Sequence, residues 1–282
     1  IATVWESEIH CVRAKGKLHN LRDKVAGIEN PAKLGIGHTR WATHGKPEEY
    51  NAHPHTDERR RVAVVQNGII ENYRDLRETL KSEGYKFQSD TDTEVIPHLI
   101  AKSLANPESL QTGLDKTKSS ALLEAVRQTV NQLQGAFAIA VISADYPDEL
   151  IVARQQAPLS IGFGKGEFFC ASDTPALVPH TNAILTLENG ELARLTPLGV
   201  EVYNFAGDRL KKMPRSLNWN PIMVEKQGFK HFMLKEIYEQ PTVLQNTFGG
   251  RFAQNGMDVN LDLNIDVNKV RRIVIIACGT AY

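Results

Sequence analysis

Three short segments decide the fold and the site of this chain: GHTRWATHG over residues 37–45, NAHPH over residues 51–55 and QNG over residues 66–68. The first overlaps the end of a predicted buried strand over residues 34–40. The third follows a second strand, predicted over residues 61–66, whose valines flank a single alanine. Polar, aromatic and charged side chains therefore gather where two strands stop, which is typical of a binding pocket.

Charged residues in this region can clamp an amino acid by both of its charged ends. The guanidinium of Arg40 can bind a carboxylate through two parallel hydrogen bonds. The carboxylate of Asp92 can bind an α-amino group, and Thr43 and His44 can complete the clamp. The pattern predicts a small amino-acid ligand.

Asn67 and Gly68 supply two hydrogen-bond donors side by side. The Asn67 side-chain amide and the Gly68 backbone N–H can hold the oxyanion of a tetrahedral acyl-transfer intermediate. Taken singly, each residue has a plainer interpretation: Asn-Gly after a strand is usually a turn, and Arg40 can form a surface ion pair. Trp41 and His44 are more often packing residues than ligands.

The joint order of the motifs resembles class II glutamine amidotransferases. That resemblance rests on the three opening segments, on the extension of the third to QNGIIENY over residues 66–73, and on SDTDTE over 89–94. A narrower resemblance, to members that use fructose 6-phosphate as acceptor, rests on WATH, on KEIYEQP over 235–241 and on ACGTAY over 277–282. It covers essentially every residue present.

The resemblance implies an α+β fold of the N-terminal-nucleophile hydrolase type, with four αββα layers, and the substrates L-glutamine and fructose 6-phosphate. It implies that Trp41 closes over the pocket and gates the path of ammonia. The glutamine-binding residues would be Arg40, Thr43, His44 and Asp92, with Asn67 and Gly68 as the oxyanion hole.

The same resemblance divides the chain into three parts. Residues 1–206 would be a glutaminase domain truncated at its N-terminus, 207–266 a linker and connecting helix, and 267–282 the start of a sugar isomerase domain. Within the last part, the turn Cys278-Gly279-Thr280 would begin a phosphate-binding loop, although a buried strand followed by Gly-Thr is a weak pattern by itself.

The first residue departs from the family pattern. Members hydrolyse glutamine with an N-terminal cysteine, whereas position 1 is Ile. Residues 1–4 align best with a strand a few dozen residues inside the family's first domain, so we expect an internal piece of a longer product that is inactive alone. Cys11 and Cys170 lie in predicted strands away from the pocket motif and are expected to be structural.

Composition excludes several classes of protein. The 282 residues include 33 basic and 33 acidic side chains, so no charge excess predicts nucleic acid or a membrane surface as a partner. Three separated cysteines predict neither a disulfide framework nor a zinc site. We expect no cofactor or metal, a cytoplasmic location and, from the resemblance, a homodimer.

Local patterns predict most elements. Strands are expected at 2–5, 9–12, 136–143, 150–153, 160–163, 167–171, 183–187 and 191–195. Helices are expected at 17–25, 72–82, 91–104, 122–133, and 232–248 with an interruption at Pro241. The third of these is expected to open at Thr91-Asp92-Thr93-Glu94, with a Thr or Asp cap and acidic residues in its first turn. Residues 269–276 are expected to form a buried strand, and 105–120 a surface insertion.

Two alternatives remain from the sequence. A degenerate domain could bind glutamine or a partner without catalysis, or a class II amidotransferase could use another acceptor. The KEIYEQP and ACGTAY segments favour the fructose 6-phosphate acceptor.

Overall fold

A computed structural model describes residues 1–41, 44–106, 110, 120–217, 225–251, 259, 266, 269–274 and 276. The chain forms two compact units, Ile1–Pro221 and Ile222–Tyr282. None of the described helices is both long and apolar enough to cross a membrane.

Strands dominate the first unit and helix the second. Within the described residues the strands are β1 (Ala2–Trp5), β2 (Glu8–Cys11), β3 (Leu34–Ile36), β4 (His55–Thr56), β5 (Val62–Ile70), β6 (Gly135–Ser143), β7 (Tyr146–Gln155), β8 (Ser160–Phe163), β9 (Phe168–Ala171), β10 (Ala183–Thr186), β11 (Glu191–Thr196), β12 (Gly199–Asn204), β13 (Arg209–Leu210) and β14 (Arg215–Ser216). The helices are α1 (Leu18–Val25), α2 (Tyr73–Ser82), α3 (Val95–Leu104), α4 (Ala121–Val130) and, in the second unit, α5 (Phe232–Phe248).

The strands of the first unit form three antiparallel sheets. A seven-stranded sheet has the order β13-β12-β11-β7-β6-β5-β4, and two smaller sheets have the orders β2-β1-β3 and β14-β10-β8-β9. Both smaller sheets share a buried apolar cluster with the same face of the large sheet. They therefore make one layer that is divided between β3 and β9.

The opposite face of the large sheet carries the helices. Ile70 and Phe137 on the sheet share a buried cluster with Ile96 of α3 and Leu123 of α4. Burying side chains of this size stabilises the fold by about 1.5–3 kcal/mol each. Because α1 buries none of its side chains, the described residues show one helix layer and two sheet layers, but not the second helix layer of the predicted four.

Strand β5 runs through two residues that the sequence predicts as a turn. Instead of ending at Gln66, β5 continues to Ile70 and pairs with β6 along its whole length. Gly68 makes this possible: its φ is +126°, and a Cβ there would overlap the carbonyl oxygen of Ala136. The turn prediction is wrong, because Asn67 and Gly68 lie inside a strand.

Helix α3 begins later than predicted. It starts at Val95, with Glu94 as its N-cap and no capping side chain, so the SDTDTE segment precedes the helix. The Asp92 carboxylate does not cap it, and its Oδ2 instead accepts the N–H of Ile70 at 2.8 Å. By contrast, α4 has a regular cap, in which Ser120 Oγ accepts the N–H of Leu123 at 3.0 Å.

Two other boundaries differ from prediction. Strand β3 ends at Ile36 rather than at residue 40. Residues 207–217, predicted as linker, contain β13 and β14, which pair with β12 and β10. Sheet pairing therefore incorporates a polar segment that has no clear periodicity of its own. Predictions for the β1–β2 hairpin, α1, α2, α4, β6 and β7–β11 are confirmed to within a few residues.

The second unit departs from two predictions. Helix α5 continues through Pro241, since a proline removes one backbone hydrogen bond but the turns on both sides can persist. The described residues 269–274 and 276 form no strand. A buried parallel strand needs neighbouring strands, and Ile273 and Ile276 are 79% and 90% exposed.

Candidate functional site

The two edges of β5 differ. One edge pairs with β6 over all nine residues of the strand. Across the other edge, β4 pairs only with Ala63 and Val64. Among the described residues no strand pairs with the rest of that edge, which we call the free edge of β5 (residues 65–70).

Side chains take the place of a strand along the free edge. The N–H of Gln66 donates to His53 Nδ1 at 3.4 Å, and the N–H of Ile70 donates to Asp92 Oδ2 at 2.8 Å. Backbone N–H groups point to the same edge at every second residue of a strand. The Gly68 N–H therefore lies on the free edge between these two bonds, about 7 Å along the strand from Ile70.

Asn67 lies beside a cavity of about 470 Å³. Strand periodicity places its side chain on the same face as Ala63 and Val65, which is the face covered by the smaller sheets. The cavity is lined by β3 on one side, by β9 on the other and by Asn67, Ala138 and residues near them below. It occupies the division between the two smaller sheets.

Asp92 brings a buried carboxylate to this corner. It is 4% exposed, and its Oδ1 lies 3.8 Å from His44 Nδ1. The His44 ring also packs edge-on against Tyr73, with centroids 5.2 Å apart. The structure thus brings together Asp92 and His44, as predicted, next to Ile70, which lies two residues along β5 from Gly68.

Arg40 is engaged by its own loop. Its Nη1 donates to the carbonyl of Lys46 at 3.3 Å, and its Nη2 donates to the carbonyls of Gly45, at 3.4 Å, and His44. Burial lowers the pKa of Arg40, and the Asp92 carboxylate partly offsets this. The guanidinium therefore shapes the loop that carries His44 and lies within electrostatic reach of Asp92.

The remaining predicted residues are placed as follows. Trp41 is 89% exposed, so it does not cover the cavity here. Thr43 and the Cys278-Gly279-Thr280 turn lie outside the described residues. Burial raises the pKa of Cys170, in β9, to about 11, which leaves a poor nucleophile at neutral pH.

Sequence reasoning assigned no individual roles to a cluster of three histidines. The ring of His53 lies 4.5 Å from that of His38 and 5.0 Å from that of His55. Burial is the main cause that lowers the pKa of His38 to about 4 and of His55 to about 3, and it holds the pKa of His53 well below its usual value. Positive charge on Arg40 adds to all three shifts, so the cluster is neutral at pH 7. In the described part of the chain no group of three or more acidic, His or Cys side chains is placed to hold a metal ion.

Glu94 closes the loop that carries Asp92. Its carboxylate accepts the N–H groups of Gln88 and Ser89 at 2.7 Å each, and the Ser89 hydroxyl at 2.6 Å. Burial alone would raise the pKa of Glu94, but the neighbouring His98 ring, whose Nε2 lies 3.9 Å from Oε1, and hydrogen bonds from Ser89 and Gln88 lower it to about 2. A buried carboxylate that closes its own loop fixes the position of the aspartate two residues earlier.

Comparison with known proteins gives a matching family, related sequences and a related solved structure. The sequence pattern of the family described as "Glutamine amidotransferase domain" matches residues 38–179. Two relatives are each called "Glutamine--fructose-6-phosphate aminotransferase [isomerizing]". One, from Nostoc sp., is 65% identical over 288 residues, and the other, from Thermosynechococcus vestitus, is 64% identical over 289 residues.

Both alignments cover 100% of this chain but 45% of the relative, so the chain spans less than half the length of these relatives. A solved structure of a glutamine aminotransferase class-II domain protein from Silicibacter pomeroyi has a TM-score of 0.50 at 16% identity. That match covers 73% of this chain and 91% of the other, which supports a shared fold.

Proposed function

Because the chain belongs to the glutamine amidotransferase domain family, we propose that it is the glutamine-hydrolysing part of a larger amidotransferase. The whole enzyme transfers the amide nitrogen of L-glutamine to D-fructose 6-phosphate, giving D-glucosamine 6-phosphate and L-glutamate. Support for this acceptor comes from the names of the two relatives, which match the chain along its whole length.

The spacing of hydrogen-bonding groups along the free edge of β5 is the main support for the proposal. Asp92 lies next to Ile70 at one end of this edge, and the Gly68 N–H lies two residues back, beside the Asn67 side chain. The separation of about 7 Å along the strand suits a glutamine whose α-amino group meets the Asp92 carboxylate and whose side-chain carbonyl meets the two donors.

Each end of glutamine then has a partner. The buried Asp92 carboxylate binds the ammonium, and Arg40, Thr43 and His44 bind the α-carboxylate side. During attack on the side-chain carbonyl, negative charge develops on the carbonyl oxygen. The Gly68 N–H and the Asn67 amide stabilise that charge, which lowers the barrier to hydrolysis.

The nucleophile comes from outside the described cysteines. We propose that the cavity between β3 and β9 receives a preceding segment of the complete protein, which carries an N-terminal cysteine as in the family it resembles. Its α-amino group takes the thiol proton, the thiolate attacks the amide carbon, and the proton passes to the leaving nitrogen as the C–N bond breaks and ammonia leaves. Water then hydrolyses the thioester to glutamate and restores the thiol. Trp41, exposed here, closes over the site to keep ammonia out of bulk water, where it would be protonated. The domain fold is then of the N-terminal-nucleophile hydrolase type.

Replacing Asn67 tests the proposal. In the complete protein, Asn67→Ala should slow glutamine hydrolysis roughly a hundredfold or more, because one oxyanion donor is lost. Steady-state glutamate release measures the effect, and glucosamine 6-phosphate formation tests the acceptor. Unchanged hydrolysis in the variant would refute the oxyanion assignment. A wild-type protein that binds glutamine without hydrolysing it would favour the non-catalytic alternative.

A further inference from the structure

Both ring nitrogens of the buried residue His53 are used. Nδ1 accepts the backbone N–H of Gln66 at 3.4 Å, and Nε2 lies 3.1 Å from Thr93 Oγ1. Because Nδ1 is an acceptor, the proton of the neutral ring is on Nε2 and is donated to Thr93. The Thr93 hydroxyl in turn donates to Gln66 Oε1, which closes a ring of three residues.

The two residues held by His53 flank the two halves of the proposed site. Gln66 directly precedes the donors Asn67 and Gly68 on the free edge of β5, and Thr93 directly follows Asp92. We propose that His53 is a positioning residue that keeps the oxyanion donors and the ammonium-binding carboxylate at a fixed separation. The inference rests on the proposed function, since it assigns no contact between His53 and substrate.

Burial and charge support a neutral, fixed ring. His53 is 8% exposed, and burial, together with His55, His38 and Arg40, holds its pKa well below the usual value. Protonation of Nδ1 would remove the acceptor for the Gln66 N–H. The ring therefore keeps both of its hydrogen bonds at neutral pH.

The neighbouring histidine holds the same loop at a second point. His55 Nε2 lies 3.0 Å from Thr91 Oγ1, so Thr91 and Thr93, on either side of Asp92, are each bound to one histidine of the NAHPH segment. Only His53 also reaches the free edge of β5. This difference makes His53, rather than His55, the residue that joins the two halves.

Amide side chains can replace one ring nitrogen at a time. In His53→Asn, Oδ1 can take the place of Nδ1 and accept the Gln66 N–H, but the shorter side chain does not reach Thr93. In His53→Gln, the amide can reach Thr93 and leaves the Gln66 N–H without its acceptor. The two variants therefore remove different hydrogen bonds: His53→Asn loses the bond to Thr93, and His53→Gln loses the bond to the Gln66 N–H.

We would measure kcat and KM for glutamine hydrolysis in the complete protein. His53→Asn should raise KM about tenfold with kcat nearly unchanged, since a lost hydrogen bond of this kind loosens Asp92. His53→Gln should lower kcat about tenfold with KM nearly unchanged, since it loosens the oxyanion donors. Thr93→Val should raise KM as His53→Asn does and, because it also removes the donor to Gln66 Oε1, should lower kcat as well. The double variant should be no worse than Thr93→Val alone.

Thr129→Val is the matched control. Thr129 is fully buried on α4, and its hydroxyl donates to the carbonyl of Ala125 at 2.9 Å. This variant therefore removes a similar buried hydroxyl from a helix that contributes no residue to the proposed site. Both kinetic constants should stay at the wild-type values.

Two results would overturn the inference. If His53→Asn and His53→Gln lower kcat alike and leave KM unchanged, as a smaller folded fraction would, His53 is only structural. An unchanged KM in Thr93→Val, a milder change, would also contradict it. An active wild type with either result refutes the positioning role alone, whereas an inactive wild type refutes the proposed function and the inference with it.

Discussion

The backbone N–H groups on the two edges of β5 find their hydrogen-bond partners in different ways. Along one edge, the backbone groups of alternate residues pair with β6 in a regular antiparallel ladder. Along the free edge, single side chains, His53 and Asp92, accept individual N–H groups. A ladder satisfies the whole edge and leaves no donor for a ligand. On the free edge, the two N–H groups that side chains accept are four residues apart, at Gln66 and Ile70, and the N–H of Gly68 between them faces the site. We infer that the paired edge provides stability and the free edge provides chemistry.

The largest expected effect follows from breaking the paired edge. Gly68→Ala should destabilise the chain by about 3 kcal/mol or more, because the new Cβ would overlap the Ala136 carbonyl and the backbone φ of +126° is strained for alanine. Urea denaturation of the chain measures the effect.

Gly199→Ala separates the clash from the backbone strain. Gly199 has a similar φ of +147°, but a Cβ there would have nothing within 4 Å, so the cost should be only about 1–2 kcal/mol. Equal losses in the two variants would show that β6 does not hold Gly68 as closely as the structure indicates.

The next effect concerns the free edge. Asp92→Asn keeps an oxygen to accept the Ile70 N–H but removes the negative charge that binds an ammonium. In the complete protein KM for glutamine should rise roughly 10- to 100-fold, with little change in the midpoint of urea denaturation. Asp90→Asn, the same charge change at an exposed neighbour, should leave KM near the wild-type value. A similar rise in both variants would mean that the loop's total charge, rather than Asp92, binds glutamine.

The sequence predicts the paired parts of this fold better than the free edge. Apolar periodicity is sufficient for α2 and for β8, whose predicted ends match the structure to within one residue. It fails at Asn67-Gly68, where pairing with a strand about 70 residues later overrides the local turn preference. The local capping pattern also fails, because the Asp92 carboxylate accepts the Ile70 N–H and does not cap a helix. Motif order predicts that Asp92 and His44 lie together, and they do, but the role proposed for His53 depends on contacts with Gln66 and Thr93 that no local pattern encodes.

The smallest expected effect concerns the histidines behind the free edge. Burial lowers the pKa of His38 to about 4, while the unfolded chain takes up a proton near pH 6.5. Between these two values the unfolded state binds more protons, so the free energy of unfolding falls as the pH is lowered through this window. The urea midpoint should therefore be lower at pH 4.5 than at pH 7.

His38→Gln removes one such group and should reduce that difference in unfolding free energy by about 1–2 kcal/mol. His180→Gln changes a histidine that is exposed and should not reduce it. An equal pH difference in wild type and His38→Gln would show that His38 titrates alike in the folded and unfolded chain, and that the ring is not held in a neutral state behind the site.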